Sequence, residues 1–181
     1  MYKLLLGGLI LLAIVAAGIF FYLQNEGGMS EELQEQVIEE PAVLVRTPPA
    51  GYAEYRNDLH RFSVFHLLEA GVREFKEDGG IETIVFENTT KVRGYQVFVL
   101  PYSQIGISDQ RFMDDVPSGV RKNIAATTVD GVEAVTFESF DATLGDTFEV
   151  WFIKYGYLYE VTTFLEQKDW LLERLATWKF F

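Results

Sequence analysis

The 181-residue chain has no cysteine, two histidines, five prolines and 15 basic residues against 27 acidic ones. Without cysteine there is no disulfide framework, no thiolate catalysis, no thiolate metal site and no lipid-modified N-terminal cysteine. The redox compartment stays open. His60 and His66 are the imidazoles. In one extended segment, at about 3.3 Å per residue, they stand roughly 20 Å apart and cannot share a metal. A net charge of −12 excludes nucleic acid as a partner, because phosphate binding needs clustered Lys and Arg. It also opposes docking flat on an anionic lipid surface. The chain contains no H-E-x-x-H, G-x-S-x-G or P-loop pattern. Ser63 falls inside a strand pattern, and Ser118 has no base nearby in sequence.

Charge is missing altogether from residues 4–23, "LLLGGLILLAIVAAGIFFYL". Twenty apolar residues at about 1.5 Å each span a hydrocarbon core of about 30 Å, so a transmembrane signal-anchor over residues 1–23 is expected. Val15-Ala16-Ala17 resembles a signal-peptide cleavage point, but the apolar run continues past it to Leu23. Lys3 precedes the span, and no Lys or Arg follows until Arg46. The positive-inside rule then places the N-terminus in the cytoplasm and the rest outside, as a single-pass membrane protein whose lipid contact is residues 4–23. Residues 24–50 read as an acidic stalk. Ser30 caps a short helix with a narrow stripe of Leu33, Val37 and Ile38, and "RTPPAG" is a stiff connector.

Residues 51–181 read as one α+β domain. "RFSVFHL", "GIETIVFEN" and "YQVFVLPY" read as strands. "SDQRFMDDVP" is helical, capped by Ser108, stopped by Pro117, with Phe112, Met113 and Val116 on one face. Asp130-Gly131 between alternating apolar residues marks a hairpin, and a second hairpin turns near Tyr155-Gly156. "EQKDWLLERLATW" is an amphipathic helix on Leu171, Leu175 and Trp178. Tyr95, Val97 and Val99 oppose Phe98 and Leu100, so the strand needs cover on both sides. An antiparallel sheet flanked by helices, an α/β/α sandwich, is therefore expected. The stretch "VWFIKYGYLYEVTTF" holds six aromatic residues in fifteen. Its alternation assigns it to a doubly covered core hairpin, not to a stacking platform.

In order, "LHRFSVFHLLEAGV", "VRGYQVFVLPY", "SDQRFMDDV", "DGVEAVTFES", "VWFIKYGYLYEVTTF" and "LATWKFF" resemble the PsbP-like family over residues 52–181. Arg61 stands where that pattern often has glycine, Leu67 where it has proline and Val72 where it has tryptophan. The resemblance implies an α/β/α sandwich and a non-catalytic extracytoplasmic or lumenal role assisting a membrane complex. Plant members bind photosystem II. A nuclear Ran-binding protein shares the fold, so fold alone does not fix function.

The acidic residues leave two alternatives. Asp141, Asp146 and Glu149 lie close together in "FDATLGDTFE" and are the candidate metal ligands, for Ca²⁺. A hard cation wants six to eight oxygens, of which three acids supply a fraction. The same loop could serve an envelope hydrolase acting on glycans, if two carboxyls face each other across a cleft. The leading expectation is a membrane-anchored binding module with no cofactor, assisting a membrane or envelope protein complex.

Overall fold

The computed structural model describes residues 46–116 and 118–181. The transmembrane segment expected at 4–23 and most of the acidic stalk lie outside them. Among the described residues no helix is long and apolar enough to cross a membrane. The domain considered below is made of these described residues.

Ten strands and two short helices follow one another. Strands β1 (Tyr52–Asn57) and β2 (Phe62–Leu67) form a hairpin, followed by β3 (Gly71–Lys76), β4 (Glu82–Asn88) and β5 (Arg93–Pro101). Helix α1 (Asp109–Asp115) comes next, then β6 (Lys122–Val129), β7 (Val132–Asp141), β8 (Gly145–Lys154) and β9 (Tyr157–Phe164). Helix α2 (Lys168–Leu175) and β10 (Lys179–Phe180) end the chain. Every pairing is antiparallel. A seven-stranded sheet runs β3-β4-β5-β9-β8-β7-β6, and a three-stranded sheet runs β1-β2-β10.

The expected α/β/α sandwich is corrected here: the domain is mostly sheet. One face of the large sheet is covered jointly by α2 and the small sheet. Tyr55, Phe62 and Val64 join Leu171, Leu175 and Trp178 over Ile84, Val97, Val150, Phe152 and Tyr159. On the opposite face, among the described residues, the cover is thin: α1, seven residues long, and the loop before it, with Phe112, the adjoining Val116 and Ile107 packed against Phe137, Trp151 and Leu158. Met113 is 66% exposed. One residue turns a helix by about 100°, so the i, i+4 pair Phe112 and Val116 leaves no room for Met113 on the buried face. Ser108 caps α1 as its sequence predicts, its Oγ accepting from Arg111 N at 3.1 Å.

Turn chemistry sets the sheet register. Asp130 and Gly131 have φ of 47° and 77°, and Tyr155 and Gly156 have 53° and 79°. Both are the paired left-handed conformations of a tight two-residue hairpin. They pair Val129 with Val132 and Lys154 with Tyr157. Each sheet face follows from there: Phe148, Val150 and Phe152 join the core under α2 and the small sheet, while Glu149, Trp151 and Ile153 point to the opposite face, where Trp151 meets α1. The aromatic stretch is core. Trp151 stacks on Phe112 at 4.7 Å, and Phe152 on Tyr159 at 5.0 Å. Arg61 takes a positive φ of 56°, a conformation costly for a side-chain-bearing residue. Its guanidinium lies 4.5 Å from the centre of the Tyr155 ring.

The stalk expected over 24–50 ends early. Arg46 donates to Thr177 O at 2.6 Å and Ser63 Oγ at 3.1 Å, and covers the Phe65 ring. Residues that read as connector are bonded into the domain.

Candidate functional site

Asp141, Asp146 and Glu149 are adjacent in sequence but divided by the sheet. Successive strand residues point to opposite faces. Asp146 and Glu149 are three apart on β8, so they project from opposite sides. Asp141 ends β7 opposite Gly145, and its Oδ1 accepts from Thr143 N at 2.7 Å and Leu144 N at 2.8 Å. Glu149 points inward, receiving Thr147 Oγ1 at 2.8 Å, Thr162 Oγ1 at 2.6 Å and Trp151 Nε1 at 3.4 Å. Among the described residues no group of three His, Cys, Asp or Glu could hold a metal ion. Millimolar Ca²⁺ should therefore leave the thermal midpoint of the purified protein unchanged. A rise that Asp146→Asn abolishes would contradict this geometry.

The domain instead gathers its carboxyls under α1. Glu160 lies on β9 opposite Trp151, and only 7% of it is exposed. Its carboxyl meets that of Asp115, at the end of α1. Arg111, one turn earlier on α1, clasps the Asp115 carboxylate with two nitrogens. Burial, then the Asp115 carboxyl, push the Glu160 pKa up to about 9, against the pull of Arg111. The Asp115 carboxyl beside it, like burial, favours the protonated form of Glu160. Glu149, diagonal to Glu160 on the same face, is also raised: burial opposes its charge more than Thr162, Thr147 and Trp151 support it. Asp115 and Arg111 of α1 face Glu160, and neither of the two grooves described below is lined by Glu160 or Glu149.

His60 is in the β1–β2 turn, 1% exposed, with Nε2 2.8 Å from Glu82 Oε2. Asn57 Nδ2 donates to Glu82 Oε2 and to Tyr55 Oη, both at 3.1 Å, and Tyr55 Oη donates to Glu74 at 2.7 Å. Burial lowers the His60 pKa more than Glu82 restores it. Tyr159 Oη donates to His60 O at 3.0 Å. This network lies between the two sheets and joins them, closed to substrate. His66, elsewhere on β2, places Nδ1 2.9 Å from Leu67 O. Neither histidine reaches the other or a metal.

The open surface is different in kind. Two grooves open on the thinly covered face. One is lined by Val85, Glu87, Gln96, Leu144, Thr162 and Phe164. The other is lined by Ile107, Phe112, Glu133, Val135, Trp151 and Ile153. Each carries a single carboxylate, so neither presents the two facing acids that glycan hydrolysis requires.

Sequence reading singled out the acids of a loop and passed over Glu160 and Glu82. The signal for Glu160 was present: in "YLYEVTTF" it shares a strand face with Leu158, inside a hairpin that needs cover on both sides.

The sequence matches no protein-family model and no curated protein. The structure is similar to the solution structure of cyanobacterial PsbP (CyanoP) from Synechocystis sp. PCC 6803. The TM-score is 0.51 at 15% identity, with 76% of this chain and 96% of that chain covered. At that identity the likeness speaks for architecture alone, and it is the architecture the motif order led one to expect: the described domain has a PsbP-like fold.

Proposed function

We propose that this protein is a non-catalytic accessory module. Residues 4–23 hold it in a membrane, and the PsbP-like domain stands on the extracytoplasmic side, bound to a membrane or envelope protein complex. One observation carries this reading: the domain shuts its paired ionisable groups inside, and turns shallow apolar grooves outward. Glu160 with Asp115, and His60 with Glu82, hold layers together. The exposed grooves offer a partner contact area and offer a substrate no pair of reactive groups. The PsbP-like fold supports the same role, and the uncharged N-terminal stretch supports the location. With a net charge of −12, the partner surface is neutral or basic.

In-cell crosslinking of the tagged full-length protein, followed by mass spectrometry, tests the reading. One dominant membrane or envelope protein, lost when residues 51–181 are deleted, is the expected result. A folded domain with no specific partner, or one found in the cytoplasm, would refute it.

A further inference from the structure

The large sheet is open, and its two edges are guarded unequally. At one edge, β3 carries Arg73, Glu74 and Lys76, three charges in six residues, which deters pairing with another strand. At the other edge, β6 runs "KNIAATTV", with a single charge at its first position and no proline. Lys122 through Ala126 and Thr128 are exposed. Ile124 is 58% exposed. A bulge disturbs the register between Lys122 and Ala125, but from Ala125 to Val129 the strand pairs evenly with β7.

The hydrogen-bonding direction follows from the hairpin. Val129 faces Val132 across the tight turn, and Ala125 O accepts from Thr136 Oγ1 of β7 at 3.3 Å. Residues 125, 127 and 129 thus aim their backbone groups at β7. The alternate residues Ala126 and Thr128 aim theirs outward. Among the described residues no backbone hydrogen bond of β6 reaches any element but β7. On the α1 side, the groove lined by Ile107, Phe112, Val135, Trp151 and Ile153 opens along Ala126 and Thr128. Unpaired backbone beside an apolar groove is the arrangement that accepts an added strand: main-chain bonds supply affinity, and alternate side chains fill the groove.

Charge selects the occupant. Glu133 lines the groove and Asp114 stands on α1, whose Phe112 forms its wall, while Asp109 is paired with Arg121, whose guanidinium covers Phe112. A second copy would bring the same acids and a second charge of −12 to this edge. We propose that β6 is a docking edge for an extended segment of a partner protein, which adds an eighth strand to the sheet with apolar side chains in the groove and basic ones facing Glu133. This deepens the accessory-module reading and rests on it for the partner being a protein.

The probe is a synthetic eight-residue peptide alternating valine with lysine and threonine, titrated into the full-length protein. Because main-chain bonds dominate, a generic extended basic peptide suffices. Binding should slow amide exchange at Ala126 and Thr128. Ala126→Pro removes one outward N–H and should weaken binding about tenfold, the worth of one to two hydrogen bonds. Thr128→Lys keeps the backbone and repels the peptide, so it decides the matter if the proline variant folds poorly. No binding at millimolar peptide, protection elsewhere, or unchanged binding in Thr128→Lys would overturn the proposal. So would a concentration-dependent dimer that protects β6 without peptide. A partner captured by crosslinking that Thr128→Lys still binds would leave the module reading standing and remove this edge from it.

Discussion

Replacing Glu160 by glutamine should stabilise the domain at neutral and alkaline pH, unusually for a change at a buried charge position. The Glu160 carboxyl is enclosed between β9 and α1, and its Oε1 has no hydrogen-bond donor. Its pKa stands near 9 in the fold, against about 4.3 in an unfolded chain. The fold therefore binds a proton that the unfolded chain has released. Stability from this group is complete below the unfolded pKa, falls as pH rises, and is gone above the folded pKa. The slope reaches about 1.4 kcal/mol per pH unit within that window. Glutamine is fixed in the protonated shape: it donates to Asp115 and has nothing to ionise. At pH 7 the gain is on the order of 3–4 kcal/mol, and it should grow toward pH 9 and vanish near pH 4.

The groups facing the pair are Asp115 and Arg111 from α1 and Glu149 from β8, and the substitution changes none of them. His60 and His66 act in the opposite sense. Their depressed pKa values give stability that is lost as pH falls through and below the usual histidine range. Comparing E160Q with the parent removes that contribution. Urea midpoints at half-unit steps from pH 4 to 9 are the measurement. Parallel curves for the two proteins would show that Glu160 is ionised in the fold.

Why did sequence reveal some of this and not the rest? The hairpins were legible because Asp130-Gly131 and Tyr155-Gly156 carry their conformational demand in the residue types. Helix α1 was legible from its Ser108 cap and its Phe112–Val116 spacing. Alternation gave the two faces of β5, β8 and β9 correctly, and so assigned the aromatic stretch to core. Strands β1 and β3 left no such mark. In β3 five of six positions are exposed, so it has no apolar alternation and is held by its backbone ladder to β4. In β1 the buried positions include Tyr55 and Asn57, whose polar atoms are satisfied by Glu74 and Glu82 from later strands. Local pattern cannot show a partner supplied by tertiary structure. Without β1, the small sheet could not be inferred, and helices were expected in its place. The acids were misjudged for a related reason. Spacing along "FDATLGDTFE" suggested a cluster, but strand geometry turns Asp146 and Glu149 apart and brings Glu160 to Asp115 across 45 residues of sequence.

Trp178→Ala should cost more than any other single core truncation on the small-sheet side. The sequence placed Trp178 on the last helix. That helix ends at Leu175, and the following turn, closed by Trp178 N to Leu175 O at 3.0 Å, still delivers the indole to the core. It is fully buried. It stacks on Phe62 of β2 at 4.2 Å and meets Phe152 and Tyr159 of the large sheet edge-on, at 5.5 Å and 6.1 Å. One ring thus couples both sheets. Loss of its contacts plus the cavity left behind comes to about 3–5 kcal/mol, a large share of the stability of an ordinary domain. Its Nε1 has no hydrogen-bond partner, and an unmet buried donor costs about 1–3 kcal/mol. Trp178→Phe removes that penalty while keeping an aromatic face on Phe62, so it should cost much less than alanine. Amide exchange should separate the layers. In Trp178→Ala, β1, β2 and β10 lose protection first, while β7 and β8 beneath α1 keep theirs. If phenylalanine proved as damaging as alanine, the stability would lie in the full indole shape, and the unmet donor would count for nothing. If exchange rose evenly over both sheets, the two layers would be one cooperative unit, with Trp178 no more than one of its parts.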